Sequence, residues 1–429
     1  MSFSNHRKAL VLIGLLFSSS LLIFQSWDML FEDGEPILQG NDDTGYFLWL
    51  FSWVVDGDND LSNNLLNLNT ISPDTRQEWI ETKSPITGKV LNKYPVGWAI
   101  MNWPVYKLTH TIYGWFHEDP KGTEAIYYVT IWLFQLCLAT MSLLLAYRVL
   151  IHYVSPEAAS WGLLVIWLSS PLLYYQVARL GLVHNQAFFL TVLVVWLSLK
   201  LKDSSSYMLW VAIGFSSSLL VISRPTSVAY LIIPASYCFI RCFENPKTEY
   251  KKLIIAVAAA IPPISVQFMV WKDVYGSWFT FSYHGEPFYF SRPHLWGSWF
   301  SDRHGLFNWH PLLFLGALGW AYATFRKQLF PWSWIISFLI LTYLNSAWWC
   351  WWFGSSFGNR AYEGSILFFM AGLAFLYEQT QDSTLRRKFL VYGSWAFIIW
   401  NAFLLSLYLA HRIDRSLPVS LTERLMGWF

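Results

Sequence analysis

Read along the chain, apolar residues gather in long runs separated by short charged or polar stretches. Eleven such runs are present, at about 9–25, 126–150, 157–175, 185–200, 207–222, 226–242, 252–271, 305–325, 330–347, 364–378 and 388–410. Runs of about 16–22 apolar residues are long enough to cross roughly 30 Å of hydrocarbon as helices. The pattern predicts an all-α, polytopic integral membrane protein, with residues 1–429 forming a single transmembrane domain. The first run follows His6, Arg7 and Lys8, in the manner of a signal peptide. Ser18-Ser19-Ser20 leads into more apolar sequence and no cleavage site, so this run is read as a retained first helix.

Threading the runs alternately assigns a side to each loop. With a cytoplasmic N-terminus, the inner loops hold His6/Arg7/Lys8, Arg148, Lys200/Lys202, Arg241/Lys247/Lys251/Lys252, Arg326/Lys327 and Arg386/Arg387/Lys388. Short loops rich in lysine and arginine stay inside, and one orientation satisfies all six. The outer segments are then 26–125, 272–304 and 348–363, with the tail 411–429. Arg412, Arg415 and Arg424 in that tail oppose the rule. The polar mass lies on the outer side, so the work is expected there.

Composition agrees. The chain is 55% hydrophobic, 19% aromatic and 13% charged, against about 25% charged for soluble domains. A net charge of +2 suggests no nucleic-acid partner. Four cysteines offer no disulfide framework. Cys238 and Cys242, one helical turn apart without a second pair or a nearby histidine, are read as structural.

Candidate chemistry starts at Gly40-Asn41-Asp42-Asp43-Thr44-Gly45-Tyr46, at the head of the first outer loop. Adjacent carboxylates repel, so one pKa should rise while the other stays low. Such a carboxylate can take a proton from an attacking hydroxyl; solvated loop acids are the plainer alternative. Asp56, Asp58 and Asp60 alternate like the start of a calcium loop but lack its glycine and closing glutamate. Asn63 and Asn64 suit a sugar or a turn cap. Tyr94-Pro95-Val96-Gly97-Trp98 reads as an interfacial amphipathic segment. Ser223-Arg224-Pro225 makes a tight outer turn with Arg224 at or just above membrane depth. Arg303 and His304 stand at the outer mouth of a span, where a helix N-terminus and a guanidinium fork favour an anion. The four tryptophans of Trp348-Trp349-Cys350-Trp351-Trp352 exceed what anchoring needs, and Gly354 and Gly358 allow tight folding before Arg360 and Glu363. Arg179 and His184 flank another outer turn.

Several of these segments, in order, resemble the bacterial GT-C membrane glycosyltransferases, the superfamily of protein O-mannosyltransferases and the lipid A aminoarabinose transferase. They are Asp42-Asp43-Thr44-Gly45-Tyr46 with Asp56-Gly57-Asp58 and Asn63-Asn64, then Tyr94-Pro95-Val96-Gly97. Arg303-His304-Gly305-Leu306-Phe307-Asn308-Trp309-His310-Pro311 and Trp352-Phe353-Gly354-Ser355-Ser356-Phe357-Gly358-Asn359-Arg360 complete the set. The resemblance implies inverting transfer of a sugar from a polyprenyl-phosphate donor to a lipid, glycan or protein hydroxyl. It also implies a bacterial inner membrane with the active site extracytoplasmic. Asp43 is the expected base with Asp42 in support, although relatives show Asp-Glu or Glu-x-x-Tyr there and Asp-Asp leaves the choice open. Arg303, His304, Arg360 and Arg224 are assigned to the donor phosphate. Tyr46, Asn63, Tyr94, Trp352 and Glu363 are assigned to the sugar or acceptor. No cofactor is required, and a divalent metal stays open because an aspartate pair can be base or ligand. The soluble domain of some relatives is not expected. The rival function is a transporter or flippase of lipid-linked glycans.

Overall fold

The computed structural model describes residues 31–32, 35–36, 41–68 and 71–427. The run at 9–25 lies outside the described residues. A two-residue antiparallel ribbon, β1 (Phe31–Glu32) and β2 (Glu35–Pro36), precedes an otherwise helical chain. The first outer segment carries α1 (Asn41–Phe51), closed by a π-helical turn over Ser52–Asp56, then α2 (Ser62–Asn67), α3 (Pro73–Glu81) and α4 (Gly97–Gly114). The bundle follows as α5 (Ala125–Leu150), α6 (Pro156–Leu168), α7 (Leu172–Val177), α8 (Val183–Lys200), α9 (Tyr207–Ser223), α10 (Ile232–Glu244) and α11 (Pro246–Tyr275). Its second part is α12 (Leu295–Phe300), α13 (Leu306–Trp309), α14 (Pro311–Lys327), α15 (Trp332–Ala347), α16 (Ile366–Glu378), α17 (Thr384–Leu409) and α18 (Leu421–Met426). Short 3₁₀ turns over Pro225–Leu231 and Arg360–Ser365 lead into α10 and α16.

Among the described residues, α5, α8, α11, α17 and the stretch Pro225–Glu244 are long and apolar enough to cross a membrane, and α6, α9 and α15 are shorter apolar helices. The protein is an integral membrane protein. Two predicted spans break where a proline removes an N–H from the ladder. The run at 157–175 divides before Pro171, and the run at 305–325 divides at His310-Pro311. Helix α8 is the hub: 83% of its apolar window is buried, against 22% for α11 and α17, which face outward.

Close helix approach rests on glycine. A Cβ on Gly372 of α16 would lie 1.9 Å from the Gly316 carbonyl oxygen of α14, and one on Gly214 of α9 would lie 1.8 Å from that of Ala256 in α11. Small residues of this kind let helix backbones pack where lipid supplies no hydrophobic drive. At the bundle end opposite Asp42, Arg387 pairs with Glu157 and donates to the Tyr377 hydroxyl, and Glu378 accepts from the Ser155 N–H at 2.7 Å. Tyr153 packs on Phe330 and Trp334, Lys202 lies over Tyr237, and Lys252 donates to the Ser205 carbonyl, so the described basic loops share this end; His6, Arg7 and Lys8 lie outside the described residues.

Candidate active site

The two aspartates were expected in a polar loop. They instead occupy the first turn of α1, where free N–H groups favour acids. The helix is buried from Asp43 to Phe51, with Phe47 packed 5.0 Å from the Trp98 ring and 4.9 Å from that of Tyr128. Successive residues on a helix diverge by about 100°, so the two carboxylates do not form a repelling pair. Asp42 Oδ2 meets Arg360 Nη2 at 2.9 Å, and the Tyr94 hydroxyl donates to Asp42 Oδ1 at 2.7 Å. Asp43 Oδ2 meets Arg179 Nη2, also at 2.9 Å. Burial pushes the Asp42 carboxyl up, but Arg360, then Tyr94, Lys93 and Arg179, outweigh it and hold it below the usual carboxylate range. Burial would likewise ease the proton off Arg360 and Arg179, and Asp42 and Asp43 respectively reverse that.

A third pair lies alongside. Arg224, between α9 and the following 3₁₀ turn, places Nε 3.1 Å from Glu363 Oε1 and Nη1 3.1 Å from His184 Nδ1. Glu363 is only 4% exposed, and its Oε1 is engaged by Arg224. Burial raises its pKa, and Arg224 and Arg360 only partly offset that. Three arginines and three carboxylates, brought from α1, the α7–α8 turn, the α9–α10 turn and the turn before α16, therefore meet at one end of the bundle.

Arg303 lies with its guanidinium 3.6 Å from the centre of the Trp352 ring, and its Nε donates to the Ser416 carbonyl at 2.7 Å. That stacking holds the guanidinium plane on an aromatic face. His304 departs from its assigned role. It sits at φ +57°, fully buried, with Nε2 3.1 Å from the Arg415 carbonyl oxygen and its ring 4.9 Å from that of Trp309. Burial pulls its pKa down to about 3, against a smaller opposing pull from that carbonyl. It is a neutral structural donor, not a cation for phosphate, and α13 behind it is too short to supply a helix-end anion site.

This arrangement of helices has solved counterparts. The apo oligosaccharyltransferase of Archaeoglobus fulgidus superposes with a TM-score of 0.51 over 94% of this chain, at 13% identity. The chain has a GT-C fold. It spans 57% of the length of that archaeal enzyme. ArnT of Cupriavidus metallidurans is more distant: TM-score 0.44 for the apo state and 0.45 for the form bound to undecaprenyl phosphate, at 12% and 13% identity. Those two alignments cover 96% and 97% of this chain and 74% of ArnT. No protein-family model and no curated protein matches the sequence.

Within this fold, Arg179 and His184 join the site although neither was assigned to it. Their position beside an outer turn was the signal. Beneath them lies a buried amide network that hydropathy hid inside apolar runs. Gln135 Nε2 donates to Asn102 Oδ1 at 3.0 Å, Asn185 Nδ2 to Gln135 Oε1 at 3.0 Å, and Gln186 Nε2 to Ser223 Oγ at 2.8 Å. Asn185 and Gln186 follow His184, and Ser223 precedes Arg224, so the network fixes the backbone that carries both. Tyr46 and Tyr94 pack edge to face at 5.2 Å beside Asp42.

Asn63 is exposed on α2, where its Oδ1 accepts from the Asn64 N–H. The three alternating aspartates close a helix-to-loop junction: Asp58 accepts from Ser52 and Asp60 from Ser62. No group of three or more His, Cys, Asp or Glu side chains that could hold a metal is found among the described residues. The Asp42 and Asp43 carboxylates are each engaged by an arginine, a set that does not fit a cation.

Proposed function

We propose that this protein is an inverting membrane glycosyltransferase that moves a sugar from a polyprenyl-phosphate donor to an acceptor hydroxyl at the extracytoplasmic face. The observation that carries the reading is the pairing of both α1 carboxylates with separate arginines at one end of the bundle. One carboxylate takes the acceptor's proton as its oxygen attacks the anomeric carbon. The bond from that carbon to the phosphate oxygen breaks, and the phosphate leaves with the electron pair. A single displacement inverts the anomeric centre.

Arg360 and Tyr94 hold the Asp42 carboxyl low and engage both of its oxygens, and Asp43 is assigned as the proton acceptor with Asp42 in support. Arg360 and Arg224 supply donors to the leaving phosphate. A guanidinium carries five N–H groups, and the observed pairings engage only part of each fork. Arg303, steadied on Trp352, is assigned to the same phosphate. The GT-C fold and the ordered motifs support the donor class, and the six basic loops support the orientation.

The test is an assay in native membranes with Asp43→Asn and Arg360→Ala, each checked for protein abundance. Loss of a positioned base lowers a rate by about 10²–10⁴-fold, and loss of one donor to the developing negative charge by about 10²–10³-fold. Both variants are expected to lose at least about 100-fold of sugar transfer. Unchanged product with normal abundance rejects the enzyme reading and leaves the transporter. Mass spectrometry of surface glycans and lipids from a deletion strain then identifies the missing sugar.

A further inference from the structure

We infer that Arg424 is a positioning residue, and that segment 411–426 is a strap holding Arg303 and the loop before Arg360 in register with the phosphate. This rests on the assignment of Arg303 to the donor phosphate. The strap lies between two loops that bear site residues. On one side the Ser416 carbonyl accepts from Arg303 Nε at 2.7 Å, the Arg415 carbonyl from His304 Nε2 at 3.1 Å, and the Val419 N–H reaches the Asp302 carbonyl at 3.3 Å. On the other side the Ser356 N–H donates to the Arg415 carbonyl at 3.1 Å, and the Ser355 and Ser416 hydroxyls meet at 2.6 Å. Ser355 and Ser356 stand just ahead of Asn359-Arg360.

Arg424 anchors the strap. It is fully buried, with Nε donating to the Val419 carbonyl at 2.9 Å, Nη1 to Asn308 Oδ1 at 2.9 Å and Nη2 3.2 Å from Asp302 Oδ1. Its guanidinium also covers the Trp309 ring at 4.8 Å. Asp302 immediately precedes Arg303, so one side chain ties the strap to the residue that carries the cation. A capping box, Ser420 with Glu423, sets the short helix from which Arg424 projects. The left-handed backbone of His304 is a conformation that surrounding structure must impose, and the strap supplies that structure. The basic tail that opposes the positive-inside rule is thereby explained: at least two of its arginines are spent on docking, since Arg415 also lies over Tyr408 at 4.7 Å.

The test measures binding of undecaprenyl phosphate to the purified full chain by native mass spectrometry. Arg303→Ala is expected to weaken binding about tenfold, the value of one charge-assisted contact. Arg424→Gln, which leaves every proposed phosphate ligand in place, is expected to weaken it about as much. Arg424→Lys is expected to recover only part, because an ammonium cannot span Asp302, Asn308 and the Val419 carbonyl together. A cysteine pair, Ser355→Cys with Ser416→Cys in a Cys350→Ser background, is expected to restore binding to Arg424→Gln on oxidation and lose it on reduction. Loss of Arg303 binding with Arg424→Gln at wild-type affinity overturns the strap alone. Wild-type affinity in Arg303→Ala overturns the phosphate assignment. Should Arg424→Gln fail to fold, the cysteine pair in Arg424→Lys decides: no gain on oxidation overturns the strap.

Discussion

At the residue scale, the site is governed by pairing. Breaking a buried ion pair leaves its partner charge uncompensated, at a cost on the order of 3 kcal/mol. Asp43 is 7% exposed and Arg179 15%, so Arg179→Ala is expected to lower protein stability as well as activity. Asp42 yields a pH prediction. Its folded pKa lies below the unfolded value of about 3.9. The stability it contributes is therefore complete above pH 4 and is lost as pH falls through the folded pKa. Thermal midpoints of detergent-solubilised protein from pH 6 to pH 3 are expected to drop below pH 4, with a shallower drop in Asp42→Asn. Equal slopes refute the role given to the Arg360 pair. The acids were legible in the sequence because charge is rare in an apolar chain; their partners were not. Arg179 lies 136 residues from Asp43, and no local spacing encodes such a contact.

At the element scale, glycine and proline decide where helices touch and where they stop. Gly372→Val is expected to force α16 away from α14, because the new Cβ meets backbone, which cannot swing aside. The measurement is the thermal midpoint in detergent; an unchanged midpoint refutes the close packing. Helix positions were readable from hydropathy: the run read at 126–150 is α5 over Ala125–Leu150, and that at 330–347 is α15 over Trp332–Ala347. The structure of the first outer segment was not. Residues 26–125 read as one outer segment, yet Asn41–Phe51 is a buried helix whose Phe47 packs on Trp98 and Tyr128. Tertiary cover, not length, made it a helix.

At the scale of the whole molecule, the described basic loops gather at one end and the arginine–carboxylate pairs at the other. This polarity supports an extracytoplasmic site. Single cysteines test it with a membrane-impermeant maleimide on intact cells. Ser355→Cys is expected to label directly, and Lys202→Cys only after permeabilisation; the reverse result inverts the topology. The tail shows how far the charge rule reaches. Arg424 counts as an outer charge in the sequence, yet in the folded chain it is buried between Asp302, Asn308 and Trp309.

The sequence alone determined that the chain lives in a membrane, where its long apolar helices lie, and which acids and arginines were available for chemistry. Those follow from transfer free energy and the scarcity of charge, properties that each residue carries with it. The tertiary structure decided which arginine each acid meets, that His304 is a buried neutral donor, and that the tail joins two loops of the site. Pairing depends on distances between segments remote in sequence, and only packing sets them.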